Sequence, residues 1–245
     1  MKLVTISIVS HGQSNLLKKV IRQLIKIREV KKIIITINIP EKFEYLKNNK
    51  ILFIKNVLPK GFSENHNNAF QYCKTDYFCV MNPDIRLIKN PFNKLLKVIN
   101  KSSPLVSPTI VNKKYKIEDN ARYFPTPISI IKKLIFNYKG IYKTENYLFE
   151  DKISPEWIAG MFMLFTKKIY KKLKGFDENF FLYYEDVDIC CRLKKIKKKI
   201  LVVKNIRVIH DARRSSRKNL KYFLIHLYSM ALFFYKHLGR YPKND

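Results

Sequence analysis

Cysteine is scarce in this sequence, and the few cysteines present argue against both zinc and disulfide chemistry. Cys73, Cys79, Cys190 and Cys191 include no C-x-x-C pair, and the last two are adjacent in the chain. Zinc sites and disulfide frameworks both depend on characteristic cysteine spacings. We therefore expect reduced thiols, as in a cytoplasmic protein.

Long hydrophobic runs are also absent. No segment reaches the ~20 apolar residues that a membrane-spanning helix requires. The longest candidate, Tyr222–Tyr235, is uncharged, contains His226 and is flanked by Lys221 and Lys236. Such a segment is compatible with a membrane interface or with a protein core. The first apolar run, Met1–Val9, is too short and too β-branched for a secretory signal, so it predicts a buried first strand.

Acidic residues are few compared with basic ones. Asp and Glu number 19 against 49 Lys and Arg, which gives a net charge of +30. This balance favours nucleic acid, anionic lipid or phosphorylated substrates as partners. A general lysine-rich coding bias would produce the same totals, so the charge alone leaves the partner open.

Several functional signatures are missing. The sequence contains no helix-turn-helix, zinc-finger or RNP-like pattern, and its basic residues are dispersed, which argues against nucleic acid as a partner. It has no G-x-S-x-G or Walker loop, which disfavours a hydrolase or phosphotransferase. A non-catalytic basic module that binds nucleic acid or a membrane is the chief alternative to an enzyme, but it would have no use for the acidic clusters described below.

The first half of the chain alternates β-branched runs with helical patterns. With 47% hydrophobic residues the chain can bury a large core. The alternation predicts an α/β fold with a mostly parallel, Rossmann-like sheet flanked by helices, and ligand at the carboxyl ends of the strands. The predicted strands are Leu3–Val9, Lys32–Ile37, Ile51–Lys55 and Tyr77–Met81. The predicted helices are Asn15–Ile27, with Ser14 as N-cap, and a helix from near Ser63 to Cys73.

The second half is less regular. The stretch from Lys113 to Pro155 has little period, and we interpret it as a variable region. Beyond it we predict strands at Trp157–Thr166 and Ile200–Val203, and helices at Glu185–Leu193 and Asn219–Leu238. With no linker or repeat, residues 1–245 are expected to form a single domain. Its parts are a first half (1–90), a second half (91–218) and a closing helix (219–238).

Two acidic clusters are candidates for chemistry. Asn82 and Asp84 end a predicted strand, and the two-residue period of extended chain places them on one side. Mg²⁺ accepts one or two such oxygen ligands and fills its other positions with water and phosphate. Ordinary turn chemistry would explain Asn-Pro-Asp equally well.

The second cluster contains Glu185, Asp186 and Asp188 after a strongly aromatic run. Apolar surroundings raise a carboxyl pKa toward the range of a general base. Acidic residues also favour the first turn of a helix, which explains one or two of them.

The ordered series of motifs resembles the bacterial family 2 glycosyltransferases, and within them the rhamnosyltransferases of O-antigen and cell-wall assembly. The matching segments, in order, are Ile8–Gly12, Gly61-Phe62 with Asn67, Asn82-Pro83-Asp84, Trp157–Gly160, Gly175–Glu178, Phe181–Asp188 and His210. Each motif is weak alone, but their order along nearly the whole chain is specific.

The resemblance implies a GT-A fold with a C-terminal acceptor-binding portion, an inverting mechanism, and a dTDP- or UDP-linked sugar donor held with Mg²⁺ or Mn²⁺. It makes 1–90 the nucleotide-sugar-binding half, 91–218 the acceptor and catalytic half with a variable acceptor-facing region at 113–155, and 219–238 a closing, membrane-associating helix. Asn82 and Asp84 would bind the metal and diphosphate with help from His210. Asp186 would be the general base, Glu185 would orient it or the acceptor, and Asp188 is the second choice for the base.

The resemblance also implies the lining of the substrate pockets. Trp157 and Gly160 would border the acceptor sugar. Ser10, Gly12, Gly61 and Asn67 would line the nucleotide pocket, where Asn38 stands in place of the family's usual aspartate and makes the base uncertain.

The resemblance, the basic charge and the terminal apolar stretch together suggest the acceptor and the location. We expect a polyprenyl-diphosphate-linked saccharide as acceptor and a peripheral position at the cytoplasmic, anionic face of the membrane. The basic stretch at 213–218 is a candidate for binding a diphosphate or lipid head group.

Overall fold

The computed structural model describes residues 1–42, 47–136, 140, 151–211, 220–238 and 242. Its centre is a nine-stranded sheet in the order β3-β2-β1-β4-β10-β6-β11-β5, with β8 pairing beside β11. A separate two-stranded ribbon joins β7 and β9. The strands are β1 Val4–Ser10, β2 Val30–Ile37, β3 Ile51–Lys55, β4 Tyr77–Met81, β5 Ile85–Leu87, β6 Leu105–Val111, β7 Ala121–Arg122, β8 Lys152–Ile153, β9 Trp157–Ile158, β10 Phe162–Thr166 and β11 Ile200–His210.

Helices cover both faces of the sheet. They are α1 Ser14–Leu24, α2 Phe62–Phe70, α3 Phe92–Val98, α4 Pro127–Phe136, α5 Lys167–Lys172, α6 Glu185–Lys195 and α7 Leu220–His237. One buried cluster packs α1 and α3 on one face of the sheet, and a second packs α2, α5, α6 and α7 on the other. In β2, Ile33 and Ile35 belong to the first cluster and Ile34 to the second, as the alternation of side chains along a strand requires.

The sheet brings the ends of distant strands to one edge. Strands β1, β2, β3 and β4 are parallel to one another, and β10 runs antiparallel to both β4 and β6. Since β6 is parallel to β11, these strands all end at the edge where β10 begins. That carboxyl edge therefore carries Ser10, Asn38, Asn82 and His210, and the mostly parallel α/β sheet is the predicted one.

Two helices of the first half differ from their predicted bounds. Helix α1 begins with Ser14, so Ser14 is not its cap; Gln13 precedes it and makes no side-chain capping hydrogen bond. The helix also ends at Leu24, because the chain turns there toward β2. Helix α2 begins at Phe62 and ends at Phe70, three residues before Cys73.

The strand predicted at Trp157–Thr166 is wrong as a single element. Its first two residues pair with β7, and only Phe162–Thr166 enters the central sheet. Between them, the Ala159 N–H donates to the Asn120 carbonyl and the Gly160 N–H donates to Asp186, so these amides leave the ladder. A continuous apolar pattern hides this change of sheet.

Other elements extend the predicted ones or were missed. Strand β11 continues from Val203 to His210 through an irregularity before Arg207, at the polar pair Lys204-Asn205. Helix α7 agrees with the prediction from Leu220 on, while Asn219 lies outside the described residues. Helix α4 lies inside the stretch at 113–155 that we predicted to be irregular, and 137–139 and 141–150 of that stretch lie outside the described residues.

Within the part of the chain that the structure describes, the helices are too short or too polar to qualify as membrane spans.

Candidate active site

Asp84 lies beside a histidine that is held between two carboxylates. Its Oδ2 is 3.4 Å from His210 Nε2, and His210 Nδ1 is 2.7 Å from Glu118 Oε2. Burial alone would lower the pKa of His210, but the hydrogen bonds and charges of Asp84 and Glu118 outweigh it and raise that pKa above its ordinary value. The sheet explains the contact with Asp84, because β5 pairs with the end of β11 and thus brings Ile85 opposite His210.

This cluster fits one part of a metal site. Asp84 Oδ1 is buried and has no hydrogen-bond partner among the described residues, so this oxygen is available to bind a ligand. The described residues contain no group of three or more His, Cys, Asp or Glu side chains arranged to hold an ion by themselves. A site that takes one carboxylate from the protein and phosphate oxygens from a substrate needs no such group.

Glu185 and Asp186 begin helix α6 and have different surroundings. Burial raises the pKa of Glu185 well above its ordinary value, and the neighbouring charge of Asp186 raises it further. Burial also raises the pKa of Asp186, but N–H donors from Gly160 and Val187 and the charge of Arg122 oppose it. Asp186 is therefore the easier of the two to ionise, and Glu185 the one that keeps its proton.

Both carboxyl groups line a cavity of about 250 Å³. Its lining comes from the β7–α4 segment, β9, the start of α6 and helix α7. The lining residues are Arg122, Tyr123, Phe124, Pro125, Ser129, Ile130, Gly140, Trp157, Ala159, Tyr183, Tyr184, Glu185, Asp186, Val187 and His226. The Arg122 guanidinium lies over the Trp157 ring at 5.4 Å, so a cation and an aromatic face line the same cavity as the carboxyl groups.

The backbone before this pair is strained. Tyr183 and Tyr184 have φ values of 69° and 65°, in the left-handed region that bulky residues avoid. Helix α7 packs against the segment, with the His226 ring 5.3 Å and 5.4 Å from the two tyrosine rings. Ser229, buried in the same helix, donates to the Leu182 carbonyl at 2.8 Å.

The two acidic sites are joined through consecutive residues of one segment. Asn82 N–H donates to the Met161 carbonyl at 3.0 Å, and Gly160 N–H donates to Asp186 Oδ2 at 2.9 Å. Asn82, Asp84 and His210 are not among the lining residues of the 250 Å³ cavity. The Asp84–His210 cluster and the cavity that contains Asp186 thus lie on neighbouring parts of the carboxyl edge.

Three further predicted residues lie at the part of the carboxyl edge that β1 and β2 form. Asn38 Oδ1 accepts hydrogen bonds from Asn56, Asn65 and the Lys60 N–H. Ser10 is fully buried at the end of β1. Gly12 follows with φ of +75°, a conformation that favours glycine.

Two other predicted residues, Gly61 and Asn67, make close contacts with other parts of the protein. A Cβ on Gly61 would lie 2.7 Å from the Phe181 carbonyl oxygen, so this glycine permits α2 to touch the segment before Glu185. Asn67 accepts from Tyr170 and the Phe176 N–H and donates to the Phe176 carbonyl.

Asp188 is turned away from the cavity into an ionic cluster. Its Oδ2 lies 2.7 Å from both Nε and Nη2 of Arg192, and its Oδ1 lies 2.9 Å from His237 Nε2. The basic stretch at 213–218 lies within 212–219, outside the described residues.

Sequence reasoning missed three residues of the site. Glu118, Arg122 and His226 contact His210, Trp157 and the two strained tyrosines respectively. Glu118 and Arg122 come from a region without clear period, and His226 from a helix considered only for its apolar character. The single available signal was the position of His226 within the uncharged segment Tyr222–Tyr235.

Comparison with known proteins agrees with this geometry. Two solved glycosyltransferases share the fold: GalNAc-T7 with UDP, GalNAc and Mn²⁺ (TM-score 0.62, 16% identity, 89% of this chain and 44% of that one), and the mannosyltransferase PcManGT from Pyrobaculum calidifontis with GDP-Man and Mn²⁺ (TM-score 0.61, 9% identity, 98% and 65%). The protein thus has the GT-A fold of the glycosyltransferases. The family model for glycosyl transferase family 2 matches residues 5–174, and the chain belongs to that family.

Curated relatives narrow the resemblance to rhamnosyltransferases. The chain is 27% identical to the rhamnosyltransferase WbbL of Escherichia coli (strain K12) over 240 residues, which cover 88% of this chain and 86% of the relative. It is 24% identical to the N-acetylglucosaminyl-diphospho-decaprenol L-rhamnosyltransferase of Mycobacterium tuberculosis over 155 residues, 59% of this chain and 50% of that protein. The chain therefore spans half of this second relative and less than two thirds of either solved structure.

Proposed function

We propose that this protein is a metal-dependent, inverting glycosyltransferase that moves a sugar from a nucleotide diphosphate onto a lipid-linked saccharide in surface polysaccharide biosynthesis. The observation that carries the proposal is the pairing of the two acidic sites through Gly160 and Met161. One site offers a buried, unpartnered carboxylate oxygen on Asp84, and the other offers Asp186 in a cavity. Inversion needs these two chemistries on opposite sides of the anomeric carbon.

The reaction assigned to the site is a single displacement. An acceptor hydroxyl gives its proton to an Asp186 carboxylate oxygen while the hydroxyl oxygen forms a bond to the anomeric carbon. The bond from that carbon to the diphosphate oxygen breaks, and its electron pair leaves with the nucleoside diphosphate. Glu185 keeps its proton and orients the acceptor. Asp188, the second choice for the base, is held by Arg192 and His237 outside the cavity and takes no part in this step.

The leaving group departs on the Asp84 side. Asp84 and Asn82 would hold Mg²⁺ or Mn²⁺, with His210 beside them. Such a cation, when bound, neutralises the charge that develops on the diphosphate. His210 Nε2 lies 3.4 Å from Asp84 Oδ2, so we assign His210 a part in holding the metal or the diphosphate.

The proposed donor rests on the curated relatives and on the residues of the carboxyl edge near β1 and β2. Both curated relatives are rhamnosyltransferases, so we propose dTDP-rhamnose as the donor. Ser10, Gly12, Asn38, Gly61 and Asn67 are proposed to border its nucleotide. A UDP-linked sugar is the alternative, because Asn38 stands where the family's usual aspartate would read the base.

The acceptor is proposed to be a polyprenyl-diphosphate-linked saccharide, as the decaprenol-linked relative suggests. Trp157 and Gly160 would border its sugar, since Trp157 lines the cavity and Gly160 contacts the Asp186 carboxylate. Such an acceptor fits a peripheral location at the cytoplasmic face of the membrane. Residues 1–245 are proposed to act as one domain, because the sheet takes strands from both predicted halves.

The test combines binding with transfer. Thermal unfolding is measured with dTDP-rhamnose, UDP-rhamnose, UDP-N-acetylglucosamine and GDP-mannose, each with and without Mg²⁺ or Mn²⁺. A ligand at 100 times its Kd stabilises the native state by about 2.7 kcal/mol, which raises Tm by several degrees. The stabilising donor is then incubated with a short-chain prenyl-diphosphate N-acetylglucosamine, and the product is identified by mass spectrometry. Absence of stabilisation by every donor, together with absence of product, would contradict the proposal.

A further inference from the structure

Helices α4 and α7 each expose a stripe of large apolar side chains. In α4 the stripe consists of Ile128, Ile131 and Ile135, which are 66%, 55% and 67% exposed. In α7 it consists of Leu220, Phe223, Leu224, Leu227, Tyr228, Tyr235 and Leu238, where the chain leaves the helix. The spacing of three and four residues places the members of each stripe on one side of its helix.

Helix α7 carries large apolar side chains on its outer side. Its inner side packs against the protein through Ser229, Phe233 and His237. A surface helix ordinarily turns charged and polar residues outward, opposite such an inner side. The outer side of α7 instead carries leucines and aromatics, and contiguous exposed apolar surface of this kind marks an interaction site.

Both stripes border the cavity that contains Asp186. Helix α4 contributes Ser129 and Ile130 to the cavity wall, and α7 contributes His226. The exposed residue Ile131 therefore follows a wall residue directly, and Leu227 follows His226. A partner that covers the two stripes would thus contact both helices that contribute to the cavity wall.

The charges of the two helices select the kind of partner. Lys132 lies exposed on α4 and Lys221 on α7, Lys236 of α7 is ion-paired with Asp177, and neither helix contains Asp or Glu. Lysines beside an apolar face are the pattern of helices that lie in anionic membrane interfaces. A second copy of this chain would bring two surfaces of a +30 protein together, which like charges oppose.

We propose that the exposed sides of α4 and α7, here named the α4–α7 surface, lie on an anionic lipid bilayer. The apolar side chains enter the boundary between head groups and acyl chains, and the lysines contact lipid phosphates. The cavity then opens toward the bilayer, so a substrate whose lipid stays in the membrane reaches Asp186 without leaving it. This last step rests on the proposed function; binding to the bilayer does not.

The test measures binding of the full chain to vesicles. Equimolar phosphatidylglycerol and phosphatidylethanolamine provide the anionic surface, and phosphatidylcholine alone the neutral one. We expect the protein to sediment with the anionic vesicles and to bind the neutral ones with an affinity that is lower by roughly tenfold or more. The reason is that each lysine near an anionic surface adds about fivefold in affinity.

Substitutions then assign the binding to the α4–α7 surface. Leu220→Ser with Leu224→Ser, and separately Ile128→Ser with Ile131→Ser, are each expected to weaken binding to the anionic vesicles by roughly tenfold or more. The matched control is Tyr72→Ser with Ile88→Ser, which changes two exposed apolar side chains outside these helices. The control pair should bind as the unchanged protein does.

Four outcomes decide the proposal. Loss of vesicle binding in the two helix pairs but not in the control, with an unchanged Tm, supports it. Equal binding by all variants overturns it, and so does an unchanged protein that ignores both kinds of vesicle. A concentration-dependent dimer by sedimentation, disrupted by the helix pairs, overturns it in favour of self-association.

Donor stabilisation and transfer to the short-chain acceptor are measured on the same preparations. Vesicle binding without transfer would contradict the proposed function alone. Transfer without vesicle binding would contradict the α4–α7 surface alone.

Discussion

The two acidic sites at the carboxyl edge of the sheet differ in what surrounds their carboxylates. Asp84 has a histidine beside it whose pKa is raised, and one of its oxygens is buried without a partner among the described residues. Glu185 and Asp186 lie in an aromatic cavity where burial raises both of their pKa values. The first arrangement suits a carboxylate that holds a ligand, and the second suits a group that takes up a proton. The two sites thus differ in their electrostatic surroundings.

The largest expected effect is that of Asp186→Asn on turnover. The amide keeps the shape of the carboxylate but cannot accept the proton of the acceptor, so kcat should fall about 10³-fold, within the range of about 10²–10⁴ that a general base contributes. Because the base acts on the acceptor, the Kd for the donor should stay unchanged. Initial rates and donor titrations measure the two quantities separately, with Asp76→Asn, an exposed aspartate at the opposite end of β4, as the control. Unimpaired turnover of Asp186→Asn would remove this residue from the mechanism.

A second, smaller effect is expected at the other site. Asp84→Asn removes the charge of the proposed metal ligand, so donor affinity in the presence of Mg²⁺ or Mn²⁺ should fall by about tenfold to a hundredfold. EDTA should weaken donor binding to the unchanged protein to a similar extent and leave the variant almost unaffected. Isothermal titration with dTDP or UDP measures both. Equal affinities with and without EDTA in the unchanged protein would show that the contrast between the two sites does not depend on a metal.

The pH dependence of stability sharpens the contrast further. The folded-state pKa of His210 is raised, so its pairing with Asp84 and Glu118 contributes stability that is fully present below the ordinary histidine pKa of about 6.5. That contribution is lost as pH rises through the raised pKa. His210→Asn should therefore lower Tm most in acid, and the difference from the unchanged protein should shrink toward alkaline pH. A difference in Tm that grows with pH would contradict the pairing.

Local sequence patterns predicted the part of the fold that local physics determines. Strands β3 and β4 have the predicted bounds, because β-branched and aromatic runs fit a buried sheet. The insertion of β10 between β4 and β6 was not predictable, since antiparallel pairing of segments some 80 residues apart in the chain leaves no local mark. For the same reason Trp157–Thr166 looked like a single strand.

The candidate site was predictable to a similar degree. Motif order pointed to Asp84 and Asp186, and the sheet brings both to one edge. Glu118 and Arg122 were missed because they come from a segment without a helical or strand-like hydrophobic pattern. Their importance arises only from contacts with residues distant in the chain. Asn67 matched a motif, yet its amide bonds to the Gly175-Phe176 segment, so its part in nucleotide binding stays a prediction.

The smallest expected effect distinguishes the two neighbouring carboxyl groups. Burial and the charge of Asp186 keep the proton on Glu185, so Glu185→Gln replaces a neutral, hydrogen-bonding group with another of the same shape. We expect kcat to change by less than about tenfold, below the range of a general base. In this variant, kcat/KM should still fall as the pH is lowered, because Asp186 becomes protonated. The midpoint of this acid limb should lie above the ordinary aspartate pKa of about 3.9, since the pKa of Asp186 is raised. If Glu185→Gln instead lowered kcat as much as Asp186→Asn and removed that limb, the proton acceptor would be Glu185, since only the loss of an ionisable group abolishes its own titration.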